Sequence, residues 1–139
     1  MASLIRKIIS TVNAPRPVAP YNQAIVADRT VYVSGCLGLD KDTMKLVPGG
    51  AAEQAAVALK HLETVLIAAD SGIDKVVKNT VFLKDMNDFV AVNEEYKKVF
   101  TKDFPARSCF QVGKLPMDAL VEIECIALTG KVETISHST

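Results

Sequence analysis

The chain has little of what demanding chemistry usually draws on. Its 139 residues include two histidines, His61 and His137, and three cysteines, Cys36, Cys109 and Cys125, with no CxxC or HxxxH spacing among them. The clustered spacings that mark zinc sites are missing, so a metal site would have to be assembled entirely by the fold, and none is expected. An odd number of widely spaced thiols points to free cysteines in a reducing compartment. Charge of one sign is lacking too, because sixteen Lys plus Arg stand against sixteen Asp plus Glu. A net charge of zero raises no field that would gather nucleic acid or an anionic membrane surface. No apolar run approaches the roughly twenty residues that cross a bilayer. A soluble intracellular protein is expected.

What is present is the composition of a single globular domain spanning residues 1–139, with 49% hydrophobic and 23% charged residues. A chain of this length buries roughly two-thirds of its unfolded surface, enough to fold without disulfides or a structural metal. The segment Met1–Ala27 is basic and free of acidic residues, a pattern shared with mitochondrial presequences. Against that, Leu4–Ile9 reads as a first strand, and Pro15, Pro17 and Pro20 oppose a long presequence helix. The strand is the preferred reading and the cytoplasm the expected compartment, with a mitochondrial location as the alternative.

Hydrophobic periodicity sets the order of elements. Gln23–Ala27 and Thr30–Ser34 are β-rich runs around the two-residue turn Asp28-Arg29, a hairpin whose second strand is expected to end at Gly35. Ala52, Ala55, Leu59, Leu62, Leu66 and Ala69 recur at steps of three and four, the stripe of an amphipathic helix that stops at Ser71-Gly72. His61 falls off that stripe and is expected to be a solvated helix residue. Val76–Leu83 reads as a buried strand, and Met86–Phe100 as a second helix with Phe89, Val92, Tyr96 and Val99 on one face. Ala106–Val112 and Leu120–Leu128 complete the chain as strands. The order β-β-β-α-β-α-β-β predicts an α+β domain, a six-stranded mixed sheet with two helices on one face. The other face is left for a second copy to cover.

Strand parity isolates two groups of reactive side chains. Glu122 and Glu124 share one face of the last strand, and carboxylates inside an apolar strand are costly unless something pairs with them. Arg107, Cys109 and Gln111 share a face of the strand before it. An arginine on one strand and a glutamate on the next are natural partners, either as an ion pair or as a site. In a site, the planar guanidinium would hold a carboxylate through two parallel hydrogen bonds, and the glutamate would orient or deprotonate a water. Cys109 has no histidine near it in sequence to act as a base, so it reads as a wall rather than a nucleophile.

Longer blocks carry a resemblance. They are Pro20-Tyr21-Asn22-Gln23-Ala24, Ser34-Gly35, Asn79 through Phe89, Val92-Asn93, Phe104-Pro105-Ala106-Arg107-Ser108-Cys109, and Leu115-Pro116 followed by Val121 through Ala127. Spanning almost the whole chain, they resemble the Rid, or YjgF-type, family, and the Phe-Pro-Ala-Arg-Ser and Glu-Ile-Glu blocks are highly specific for it. The resemblance implies a chorismate-mutase-like fold and a homotrimer with clefts between neighbouring subunits. It implies hydrolysis of small enamine and imine intermediates, such as 2-aminoacrylate, 2-iminopropanoate and 2-iminobutanoate, to 2-keto acids and ammonia, without cofactor or metal. By motif, Arg107 would clamp the substrate carboxylate and Glu122 would position the attacking water. Tyr21, Ser34, Gly35, Asn93 and Cys109 would form the rest of the cleft. Cys36 stands where many members have glutamine, which alters the wall beside Gly35. Such chemistry suits the sparse inventory, since an imine is already electrophilic and needs mainly orientation and protonation. Two other readings belong to different classes. One is an endoribonuclease that inhibits translation, which the balanced charge disfavours. The other is a non-catalytic trimeric binding or chaperone-like protein.

Overall fold

The computed structural model describes residues 1–139. Its strands are β1 (Arg6–Ile9), β2 (Ala24–Ala27), β3 (Thr30–Leu37), β4 (Val76–Leu83), β5 (Ala106–Gln111) and β6 (Val121–Leu128). The helices are α1 (Ala51–Ala68) and α2 (Phe89–Val99). The expected α+β order holds, and no helix is long and apolar enough to cross a membrane. The segment at Met86 begins as a separate 3-10 turn, Met86–Asp88, in which Asp85 accepts a hydrogen bond from the Asn87 N–H at 2.8 Å before α2 starts. Arg6–Ile9 pairs with β2, in keeping with the strand reading of the N-terminal segment.

The six strands lie in the order β1-β2-β3-β6-β4-β5. β4 and β5 run parallel because α2 carries the chain across between them, and the other neighbours are antiparallel. The expectation that the strands of Arg107 and Glu122 would be neighbours fails here: β6 inserts between β3 and β4, so β4 separates it from β5. Sequence adjacency is a weak guide once a crossover places a strand on the far side of its parallel partner.

Alternation decides what each face holds. Val31, Val33, Val81, Leu83, Val121, Ile123, Cys125 and Ala127 point toward the helices and are buried. They meet Ala55, Leu59, Leu62 and Leu66 of α1 and Val92 and Tyr96 of α2 in one continuous core. Leu59, Leu62 and Leu66 are fully buried, worth roughly 1.5–3 kcal/mol each. The opposite face is uncovered in the single chain. Ile8, Ile25, Tyr32 and Ile126 form a row across it, and Phe82 lies against Phe110 with ring centroids 6.2 Å apart.

Candidate active site

The third strand continues past Gly35, where the sequence suggested it would stop. Val33 pairs with Cys125 and Cys36 with Ile123, so Ser34 and Gly35 together stand opposite Glu124 alone. This β-bulge re-aims the strand and opens a gap beside β6. Glu122 fills it: a Cβ on Gly35 would lie 2.6 Å from Glu122 Cδ and 2.7 Å from Oε2. Glycine at 35 is what lets the carboxylate lie against the backbone.

Gly35 and Glu122 border a cavity of about 310 Å³, with Tyr21, Ser34, Cys36 and Met44 on its walls. Buried Gln23 holds one side of it. Its Oε1 accepts from Thr11 N–H at 2.7 Å, and its Nε2 donates to the carbonyls of Thr11 and Pro15 at 3.1 and 2.9 Å, which ties down the proline-rich loop. Ser34 Oγ donates to the Asn22 carbonyl at 2.6 Å and fixes the chain next to Tyr21. His61 is not the solvated residue expected. It is partly buried, its Nε2 donates to the Leu39 carbonyl at 2.6 Å, and it borders the same cavity. The helical stripe could not show this, because the partner is a loop carbonyl 22 residues away.

Burial pushes the Glu122 carboxyl above its ordinary range, and the like charge of Glu124 adds to the shift. Burial likewise raises the Cys36 thiol to about 12. Neither cysteine near the candidate residues is activated: burial also raises the thiol of Cys109, with Arg107 opposing the shift.

Arg107 occupies a second position altogether. It faces the helix side of β5, where its Nη1 donates to Asn93 Oδ1 at 2.8 Å. Its guanidinium lies 4.7 Å from the Tyr96 ring centre and 5.6 Å from that of Phe89. Held in this way by α2, it keeps Nε and Nη2, the edge that meets a carboxylate side-on. Cys109 follows on the same face of the strand.

The structure thus gathers Tyr21, Ser34, Gly35 and Glu122 in one cluster and Asn93, Arg107 and Cys109 in another. Within one chain the two do not meet. They lie on opposite faces of the sheet, two strands apart. No group of three His, Cys, Asp or Glu side chains is arranged to hold a metal ion.

A family model described as endoribonuclease L-PSP matches residues 11–129. The chain belongs to that family. Among L-PSP relatives, the RutC family protein UK114 of Drosophila melanogaster is 81% identical over 134 residues, covering 96% of this chain and 97% of its own. A Bos taurus protein named 2-iminobutanoate/2-iminopropanoate deaminase is 51% identical over 136 residues, covering 98% of this chain and 99% of its own. The crystal structure of YyfA from Yersinia pestis, described as a member of the Rid protein family, superposes with a TM-score of 0.87 at 40% identity. That match covers 90% of this chain and all of the other (100%), so the L-PSP fold accounts for essentially the whole domain.

Proposed function

We propose that this L-PSP family member is a 2-iminobutanoate/2-iminopropanoate deaminase, hydrolysing reactive enamine and imine intermediates to 2-keto acids and ammonia and so limiting metabolite damage. Mammalian relatives of that name, about half identical over nearly the full chain, support the activity. The observation that carries the site is Glu122, a carboxylate of raised basicity laid against Gly35 in a cavity with mostly apolar walls.

Arg107 takes the substrate carboxylate on its free edge, leaving the imine carbon beside Glu122. Glu122 accepts a hydrogen bond from water and takes its proton as the oxygen bonds to that carbon. Glu122 returns that proton to the nitrogen of the carbinolamine formed from the protonated imine, then accepts the hydroxyl proton as the C=O forms and the C–N bond breaks, and ammonia leaves the 2-keto acid. A carboxyl more basic than usual is suited to these transfers. Tyr21, Ser34, Gly35, Asn93 and Cys109 line or brace the cleft. The chain supplies orientation and proton transfer with its own side chains.

The two clusters can serve one substrate only if they come from different copies. That calls for a homo-oligomer, and the resemblance to the Rid family makes it a homotrimer with a site at each subunit interface. The uncovered sheet face supplies apolar surface for that contact, since Tyr32 is 49% and Phe110 50% exposed. The cytoplasm is the proposed compartment. The ribonuclease reading finds less support, because sixteen Lys plus Arg balanced by sixteen Asp plus Glu leave no net positive charge to hold a polyanion.

Mixing two dead variants tests this directly. Arg107→Ala and Glu122→Gln should each fail to speed 2-ketobutanoate formation from threonine and threonine dehydratase. Refolded together in equal amounts, they should regain about a quarter of wild-type activity, because each mixed trimer holds one intact interface. No recovery would place both residues in one chain's site. No acceleration by the wild-type protein would overturn the deaminase reading itself.

A further inference from the structure

Asn79 is fully buried in the middle of β4, and its Oδ1 has no hydrogen-bond partner. A polar amide in a sheet core costs stability that an aliphatic side chain would not. Its neighbours suggest what offsets that cost. Asn79 stands directly opposite Arg107 in the parallel β4–β5 register, on the same helix-facing side. Its Nδ2 donates to the hydroxyl of Tyr96 at 2.8 Å. The Tyr96 ring stacks on Phe100 at 4.6 Å between centroids and carries the Arg107 guanidinium 4.7 Å from its centre.

We propose that Asn79 and Tyr96 are positioning residues for Arg107: the amide anchors the ring by its hydroxyl, and the ring holds the guanidinium plane. The proposal rests on Arg107 as the carboxylate anchor. Asn93 fixes one nitrogen of the fork, but a single hydrogen bond leaves the plane free to rotate about it. The anchored ring removes that freedom, so Nε and Nη2 meet the incoming carboxylate already aligned. Three elements, β4, β5 and α2, thereby converge on one side chain.

The decisive variant is the double substitution Asn79→Leu with Tyr96→Phe. It removes both hydrogen-bonding groups together, so no new buried polar atom is orphaned and the fold is retained. Thermal unfolding should match wild type more closely than Asn79→Leu alone. Two readouts then decide the matter. KM for 2-iminobutanoate should rise about three- to tenfold with kcat within about twofold, the pattern of weakened substrate holding. Solvent exchange of the Arg107 Nε–H, followed by NMR without substrate, should quicken several-fold. Tyr96→Phe alone should show both changes, and Tyr96→Leu, which removes the ring, should show them more strongly. Wild-type KM and exchange in the double variant would overturn the proposal and leave Asn79 a packing residue. The exchange measurement does not depend on turnover. A wild-type protein without deaminase activity would overturn the functional reading alone, while the exchange rates still judge the positioning claim.

Discussion

The carboxylate of Glu122 occupies the space a side chain on residue 35 would need, with Cδ 2.6 Å from the position of a Gly35 Cβ. The obstructing atoms are the far end of a flexible side chain, and the backbone at Gly35 is not in the left-handed region. Gly35→Ala should therefore cost the fold little, under about 0.5 kcal/mol, because Glu122 can swing aside. The displaced carboxylate can no longer meet the water, and kcat should fall at least about tenfold. Urea unfolding beside a coupled dehydratase assay would check this separation of activity from stability. A large loss of stability with kcat intact would show that Glu122 has no other place to go.

Much of this arrangement was legible in the sequence, and what was not has a common cause. Leu59, Leu62 and Leu66 announce α1 by spacing, and alternation in β6 correctly separates Glu122 and Glu124 from Val121 and Ile123. These are local properties of the chain. The bulge at Ser34-Gly35 is a register slip against a strand about ninety residues away; Gly35 is its local mark, but a glycine closing a β-rich run reads equally as the end of the strand, and only the pairing with β6 separates the two. The same holds for β6 coming between β3 and β4, which separates Arg107 from Glu122, and for the Leu39 carbonyl that takes His61 out of solvent. Tyr96 and Phe89 were readable as an apolar stripe, but their second use as a platform for a guanidinium depends on where β5 lies.

Gln23 bears on both stability and the site. Its amide contacts the backbone of Thr11, Ala14 and Pro15, and Ala14 and Pro15 border the Glu122 cavity. Gln23→Ala would leave these groups without partners and is expected to destabilise the protein by about 2–3 kcal/mol. Because the loop leading to Tyr21 would loosen as well, KM should rise at temperatures where the variant is still folded. Denaturant titration and steady-state kinetics at low temperature measure the two effects separately.

Cys109 shares a strand face with Arg107, which invites a covalent mechanism. Its thiol, however, is pushed up by burial, the opposite of what an attacking thiolate needs. Cys109→Ser should keep kcat/KM within about fivefold of wild type, whereas removing a true nucleophile typically costs about ten-thousand-fold or more. Trapping of a mass adduct on Cys109 during turnover would contradict this expectation.

Glu122 should also leave a mark on the pH dependence of stability. Its folded-state carboxyl titrates above the ordinary glutamate range, first through burial and then through Glu124. Over the window from the unfolded value near 4.5 up through the raised folded value, the native chain holds more of this proton than the unfolded chain does. Stability must then fall as pH rises across that window, because the charged form is the one the fold penalises. Below the window both states are protonated and the penalty is absent; above it the penalty is complete. Glu122→Gln stays neutral throughout, so its melting temperature relative to wild type should be nearly level at low pH and rise as pH increases. Scanning calorimetry of both proteins between about pH 4 and pH 8 reads the difference, in which titrations common to the two proteins cancel. A difference that shrinks as pH rises would mean that the ionised carboxylate is stabilised by a cation, such as one contributed by a neighbouring copy at the assembled interface.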